Sequence, residues 1–188
     1  MRAFAAVNLD ETLRERLADA QRRLKQSGAD VRWTGRQGLH ITLKFLGDVA
    51  EDCIPAISGA IRGALDGCEP FRLRLQGAGS FPPRGAPRVI WVASGEGEGR
   101  LAEMAERLED ALEPLGFARE QRAFAAHVTL GRVKSPRERE RLMEGVAALA
   151  GEEFGEMTVE RAALMRSRLT PQGAIYSPVE EFPLARPG

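Results

Sequence analysis

Histidine is the side chain whose ordinary pKa lets it take and give protons near neutral pH, and this chain has two, His40 and His127. Each opens the same tetrad of residue types, His40-Ile41-Thr42-Leu43 and His127-Val128-Thr129-Leu130. Histidines placed for packing alone would have no reason to share their neighbours, so the pair reads as one acid/base site built from two halves. A neutral ring can accept a proton from an attacking hydroxyl while a charged ring donates one to a leaving oxygen, each transfer accelerating a reaction by about 10²–10⁴. A phosphodiester suits the remaining residues. It has two non-bridging oxygens that gain charge in the transition state, and Thr42 and Thr129 supply two hydroxyl donors to hold them.

Competing chemistries are poorly served. Neither tetrad has His-x-His or His-Glu-x-x-His spacing and no carboxylates cluster nearby, so no metal and no other cofactor is expected. There is no Gly-x-Ser-x-Gly elbow, and Cys53 and Cys68 lie outside any Cys-x-x-Cys pattern, as thiols of a reducing compartment would. The glycine-rich Ser94-Gly95-Glu96-Gly97-Glu98-Gly99 lacks the lysine and hydroxyl of a phosphate-cradling loop and reads as a linker.

For these groups to converge, each tetrad must lie on a strand. From Leu39 to Leu46 the residues alternate, with Leu39, Ile41, Leu43 and Phe45 on one face and His40, Thr42 and Lys44 on the other. Lys44 is therefore a further candidate phosphate contact, and Phe45 is expected in the core. The second tetrad lies in a strand from Phe124 to Val133. Arg132 falls on the wrong side of a regular strand, but a bulge at Gly131 would bring it onto the His127 face. Tyr176, the single tyrosine, and Trp33 are candidates to stack a nucleobase, against the ordinary alternative of half-buried packing. Arg137, Arg139 and Arg141 alternate with glutamates and read as a solvated helix face.

Other elements must hold these strands. Residues 3–9 read as a buried strand, and Asp10 caps a helix whose apolar face is Leu13, Leu17, Ala20 and Leu24. Val31-Arg32-Trp33-Thr34 is a short strand, expected to pair antiparallel with the first histidine strand across the Gly35–Gly38 turn. Helices follow at Glu51-Asp52 and through Leu101, Met104, Leu108, Leu112 and Leu115. A further helix is expected from the capping-box pattern Ser135-Pro136-Arg137-Glu138. Strands over 71–76, 88–93, 157–168 and 174–182 complete the chain. Strand, helix and paired strands occur twice without strict alternation, which points to an α+β fold. The 188 residues suit one domain, 1–188, with a seam between its halves near 94–99.

Lysine plus arginine balance aspartate plus glutamate at 27 each, which excludes a broad basic field for long nucleic acid. No apolar run approaches the roughly 20 residues of a membrane span, and the first residues turn polar too soon for a signal peptide. A cytoplasmic monomer without membrane contact is expected.

Beyond chemistry, His40-Ile41-Thr42-Leu43-Lys44-Phe45-Leu46-Gly47 and His127-Val128-Thr129-Leu130-Gly131-Arg132-Val133 resemble the paired motifs of the two-histidine phosphoesterases. The likeness extends to Arg2–Ala6, to Phe81-Pro82 with Pro87–Trp91, and to Ser167–Tyr176. It points to the branch of RNA 2′,3′-cyclic phosphodiesterases and 2′-5′ RNA ligases. One departure is Ala126, where many relatives have proline before the histidine. The resemblance implies a bilobal α+β fold, two pseudo-symmetric lobes each with an antiparallel sheet and helices, and a cleft between them. It also implies metal-independent opening of RNA 2′,3′-cyclic phosphate ends, or of cyclic nucleotides, to 2′-phosphates. His40 and His127 would be the catalytic pair, with Thr42, Thr129 and Arg132 holding phosphate. His127 is expected as the base and His40 as the acid. Two alternatives remain at this stage: ATP-independent 2′-5′ joining of tRNA halves at the same site, and binding of RNA ends without turnover.

Overall fold

Ala3, Phe4, Ala5, Ala6 and Val7 are all buried, so the strand they form, β1 (Arg2–Asn8), lies inside the sheet, covered on both faces. In the computed structural model, which describes residues 1–171 and 173–185, the chain then enters α1 (Glu11–Lys25). The Asp10 carboxylate caps this helix by accepting the Leu13 N–H at 2.8 Å. Leu13, Leu17, Ala20 and Leu24 recur on one side of it and are buried. Next come β2 (Val31–Trp33), β3 (His40–Asp48), α2 (Ile54–Leu65), β4 (Phe71–Phe81), β5 (Val89–Ser94) and α3 (Glu98–Leu112). The chain ends with β6 (His127–Val133), α4 (Arg139–Ala148), β7 (Glu153–Val159), β8 (Arg161–Thr170) and β9 (Gly173–Pro183).

The nine strands of the described residues pair antiparallel in one curled sheet, ordered β7-β4-β5-β6-β3-β1-β8-β9, with β2 also on β6. This is the α+β class expected. The two histidine strands are central neighbours, registered at one pair, Ile41 with Val128. On either side of that junction the strands run in matching order, β6-β5-β4-β7 and β3-β1-β8-β9, so the sheet has two related halves. The β6-β5-β4-β7 half comes from the middle of the chain, residues 71–159, whereas the β3-β1-β8-β9 half joins strands from both ends, 2–48 and 161–183. Ser94–Gly99 is the turn from β5 into α3, where Gly97 has φ +94 and an added Cβ would stand 2.6 Å from the Arg72 carbonyl oxygen. Only glycine fits that turn.

Among the described residues, all four α-helices bury their apolar faces in one core cluster with Ile41 and Val128. The opposite sheet face carries a smaller cluster, Phe4, Ala6, Ala163 and Met165, with Tyr176 packed against it. No helix among the described residues is long and apolar enough to cross a membrane.

β4 runs on to Phe81, past the expected 71–76, and β6 begins at His127 and not at Phe124. Three other expected elements differ in course. β2 pairs with β6 and not with β3, because β2 and β3 both run antiparallel to β6 and follow one another along its edge. The helix expected at Ser135 begins at Arg139. Ser135 Oγ accepts the Arg137 N–H inside a turn, and Glu138 has a left-handed backbone at φ +50 that breaks the helical path. The strand expected over 157–168 divides at Glu160, where the chain crosses from β4's flank to β1's. The loop expected over 169–173 includes Gln172, which lies outside the described residues.

Candidate active site

The alternation expected from Leu39 onward fails at Leu43, and that failure builds the site. On β1, Ala6 faces Thr42 but the next partner, Ala5, faces Lys44, leaving Leu43 as an extra bulged residue. β6 repeats this against β5: Trp91 faces Thr129, then Ile90 faces Gly131, with Leu130 extra. The leucine shared by the tetrads is thus a bulge in both halves. Beyond each bulge the faces exchange. Arg132 comes onto the His127 face, as a bulge was expected to allow, and Phe45 comes onto the His40 face.

Two expectations are overturned by the first bulge. Lys44 does not reach the histidine face: it is 4% exposed, with its ammonium 2.5 Å from Glu109 Oε2 and donating to the Ala118 carbonyl at 3.0 Å. Phe45 is not in the core but 70% exposed, its ring 6.2 Å from that of Phe4.

The antiparallel pairing of Ile41 with Val128 sets His40 beside Thr129 and Thr42 beside His127, so four polar side chains cross over the sheet's pseudo-twofold axis. All four are half-buried. The imidazoles are fixed in the same way. His40 Nδ1 lies 2.7 Å from the Gly38 carbonyl and His127 Nδ1 lies 2.7 Å from the Ala125 carbonyl. A carbonyl only accepts, so each Nδ1 carries a hydrogen. Nε2 of each ring is left without a protein partner among the described residues.

Aromatic rings pack the imidazoles in place. Phe4 stacks on His40 with centroids 4.8 Å apart, and Tyr176 meets His40 edge-on at 5.1 Å. Phe81 meets His127 edge-on at 5.1 Å. Tyr176, proposed from sequence as a stacking residue, is thus a neighbour of His40, pressed so closely on Gly38 that a Cβ there would fall 2.9 Å from its ring. Trp33 is on the other side: it packs against the main core. Phe4, Phe81 and Trp91 lie within segments that carry the family resemblance, but the sequence does not mark them as site residues. They reach the site through cross-strand pairing, which leaves no local mark in a short apolar run.

Burial pushes the His40 pKa down to about 4, with Arg14 and His127 adding to the effect and the Gly38 hydrogen bond opposing it. His40 is consequently neutral at physiological pH, with a free Nε2 lone pair. Among the described residues, no three histidine, cysteine, aspartate or glutamate side chains gather as metal ligands.

The chain's relatives fit this geometry. Residues 9–171 match the model of the 2′-5′ RNA ligase superfamily. The chain is 40% identical over 184 residues to the RNA 2′,3′-cyclic phosphodiesterase of Methanothermobacter thermautotrophicus, covering 98% of this chain and 99% of that one. It is 38% identical over 183 residues to the protein of the same name from Archaeoglobus fulgidus, covering 97% and 99%. Among solved structures, a Thermus thermophilus protein superposes with a TM-score of 0.83 at 33% identity over 98% of each chain. E. coli LigT complexed with 3′-AMP shares the fold, with a TM-score of 0.77 at 23% identity over 98% of each chain. By its full-length likeness and its matched family model, the chain belongs to the 2′-5′ RNA ligase superfamily.

Proposed function

We propose that this protein is an RNA 2′,3′-cyclic phosphodiesterase that opens the cyclic phosphate to a 2′-phosphate by two-histidine acid/base catalysis. The observation that carries the proposal is the crossed arrangement of two His-x-Thr pairs, each imidazole fixed through Nδ1 with Nε2 unpartnered. The names of the relatives at up to 40% identity support it.

The reaction needs a base and an acid. His40, kept neutral by burial, takes a proton from water at Nε2 as the water oxygen attacks phosphorus. His127 in its charged form donates its Nε2 proton to O3′ as the P–O3′ bond breaks. This proposal assigns the roles opposite to those expected from sequence, and the buried position of His40 under Phe4 and Tyr176 supports it. Thr42 and Thr129 donate their hydroxyls to the two non-bridging oxygens, and Arg132 adds charge beside them. Phe45 offers an exposed aromatic face for the base of the terminal nucleoside. No step is assigned to Lys44. The exposed free thiol of Cys53 and the buried one of Cys68 fit a reducing, cytoplasmic setting.

A second reading is favoured by the name of the matched superfamily. Joining RNA halves uses the same histidines, with an RNA 5′-hydroxyl replacing water and forming a 2′-5′ bond. Incubating tRNA halves with the protein and looking for a 2′-5′ joined product separates it from hydrolysis.

The test of the main proposal is turnover of a 2′,3′-cyclic nucleotide in EDTA. Activity is expected to persist in EDTA and to fall by about 10²–10⁴ in His40→Ala and His127→Ala. Full activity in both variants would refute it.

A further inference from the structure

On β4, Arg74 is registered opposite Glu156 of β7, with their side chains 3.4 Å apart. Beside the second tetrad the pairing is arginine against arginine. Arg32 on β2 is registered directly opposite Arg132 on β6, both are exposed, and neither has an acidic partner among the described residues. Like charges directly opposite across strands are destabilising, so this pair weakens a three-residue strand.

The face on which the pair projects is settled by Gly131. A Cβ on Gly131 would point to Val31 Cγ1 at 2.6 Å and to the Trp33 ring at 3.0 Å, so residues 31, 33 and 131 share the core face. The residues between them, Arg32 and Arg132, therefore project on the side of His127 and Thr129. β2 continues the line of β3 along β6, which places the two guanidinium groups at one end of the histidine site. The matching end of the other half carries Phe45 in place of Arg132. A site with twofold-related chemistry is thus cationic at one end and apolar at the other.

We infer that Arg32, with Arg132 shared between it and the reacting phosphate, forms a second anion subsite that takes the internucleotide phosphate on the 5′ side of the terminal nucleoside. This rests on the function proposed above and adds the direction of the RNA: the chain runs off over the β2–β6 end, and the terminal base lies toward Phe45. Two guanidinium forks suit a phosphodiester, whose two free oxygens accept one from each side. The subsite makes an RNA end a better substrate than a mononucleotide.

The experiment compares adenosine 2′,3′-cyclic phosphate, which lacks this phosphate, with the dinucleotide ApA bearing a 2′,3′-cyclic end. In Arg32→Ala the ratio of kcat/KM for the dinucleotide to that for the mononucleotide is expected to fall roughly tenfold. Binding of a fluorescent trinucleotide RNA with a 2′-phosphate end is expected to weaken, its log-log salt slope becoming shallower by about 0.7, while Arg32→Lys keeps the slope. An unchanged ratio together with an unchanged slope would overturn the inference. Arg32-dependent binding with no turnover of either substrate by the natural protein would uphold the subsite and defeat the proposed hydrolysis.

Discussion

At His40 and His127 one hydrogen bond each decides which nitrogen is available, and the environment decides which ring begins neutral. Holding Nδ1–H on the Gly38 carbonyl leaves His40 only Nε2 for proton transfer, and burial keeps it unprotonated down to about pH 4. The rising limb of kcat/KM against pH is therefore expected near 4, well below an ordinary histidine. A rising limb near 6.5 would contradict the assignment. The same group carries a stability signature. Between its unfolded value of about 6.5 and its folded value of about 4, the unfolded chain binds the proton and the folded one does not. Stability accordingly falls as pH drops through that window, by about 3 kcal/mol, and this slope should flatten in His40→Gln when urea unfolding is followed at several pH values. Thr129→Val should lower kcat by about 10²–10³ while Thr129→Ser retains most of it, as steady-state kinetics would report. The tetrads made these four side chains legible in the sequence, because strand alternation over three residues needs nothing from the rest of the fold.

At the scale of elements, legibility ends at the bulges. Leu43 and Leu130 look like ordinary core residues, and only their partners on β1 and β5 show that each is one residue too many. Alternation carried through Leu43 misplaces Lys44 and Phe45 together, since a one-residue slip exchanges the faces. The slip gives Lys44 a structural task. Its pairing with Glu109 ties β3 to α3, and Glu109 also accepts the Glu120 N–H, fixing the segment that leads to His127. Lys44→Met would strand a buried carboxylate, and thermal unfolding should register a loss of about 3–5 kcal/mol. The double replacement with Glu109→Leu should recover much of it. If the single and double variants are equally unstable, the charge pairing is not what holds this junction. The capping-box pattern at Ser135 misled for a related reason: its serine satisfies a turn, and the helix waits for Arg139.

At the scale of the molecule, two sheet halves meet at one registered pair, and everything the proposed chemistry needs lies across that junction. The repeated strand and helix pattern disclosed an α+β fold, but not that one half would be drawn from the middle of the chain and the other from its two ends, because strand order is set by long-range pairing. In the proposed mechanism the twofold arrangement would supply one acid and one base, and the aromatic cover over His40 distinguishes the two imidazoles. The most direct test of this arrangement is the phosphorus NMR spectrum of the product formed from a 2′,3′-cyclic nucleotide in EDTA. A 2′-phosphate is expected as the single product, with no such signal accumulating on the same timescale from His40→Gln or His127→Gln. A 3′-phosphate, or equal product from either variant, would contradict it.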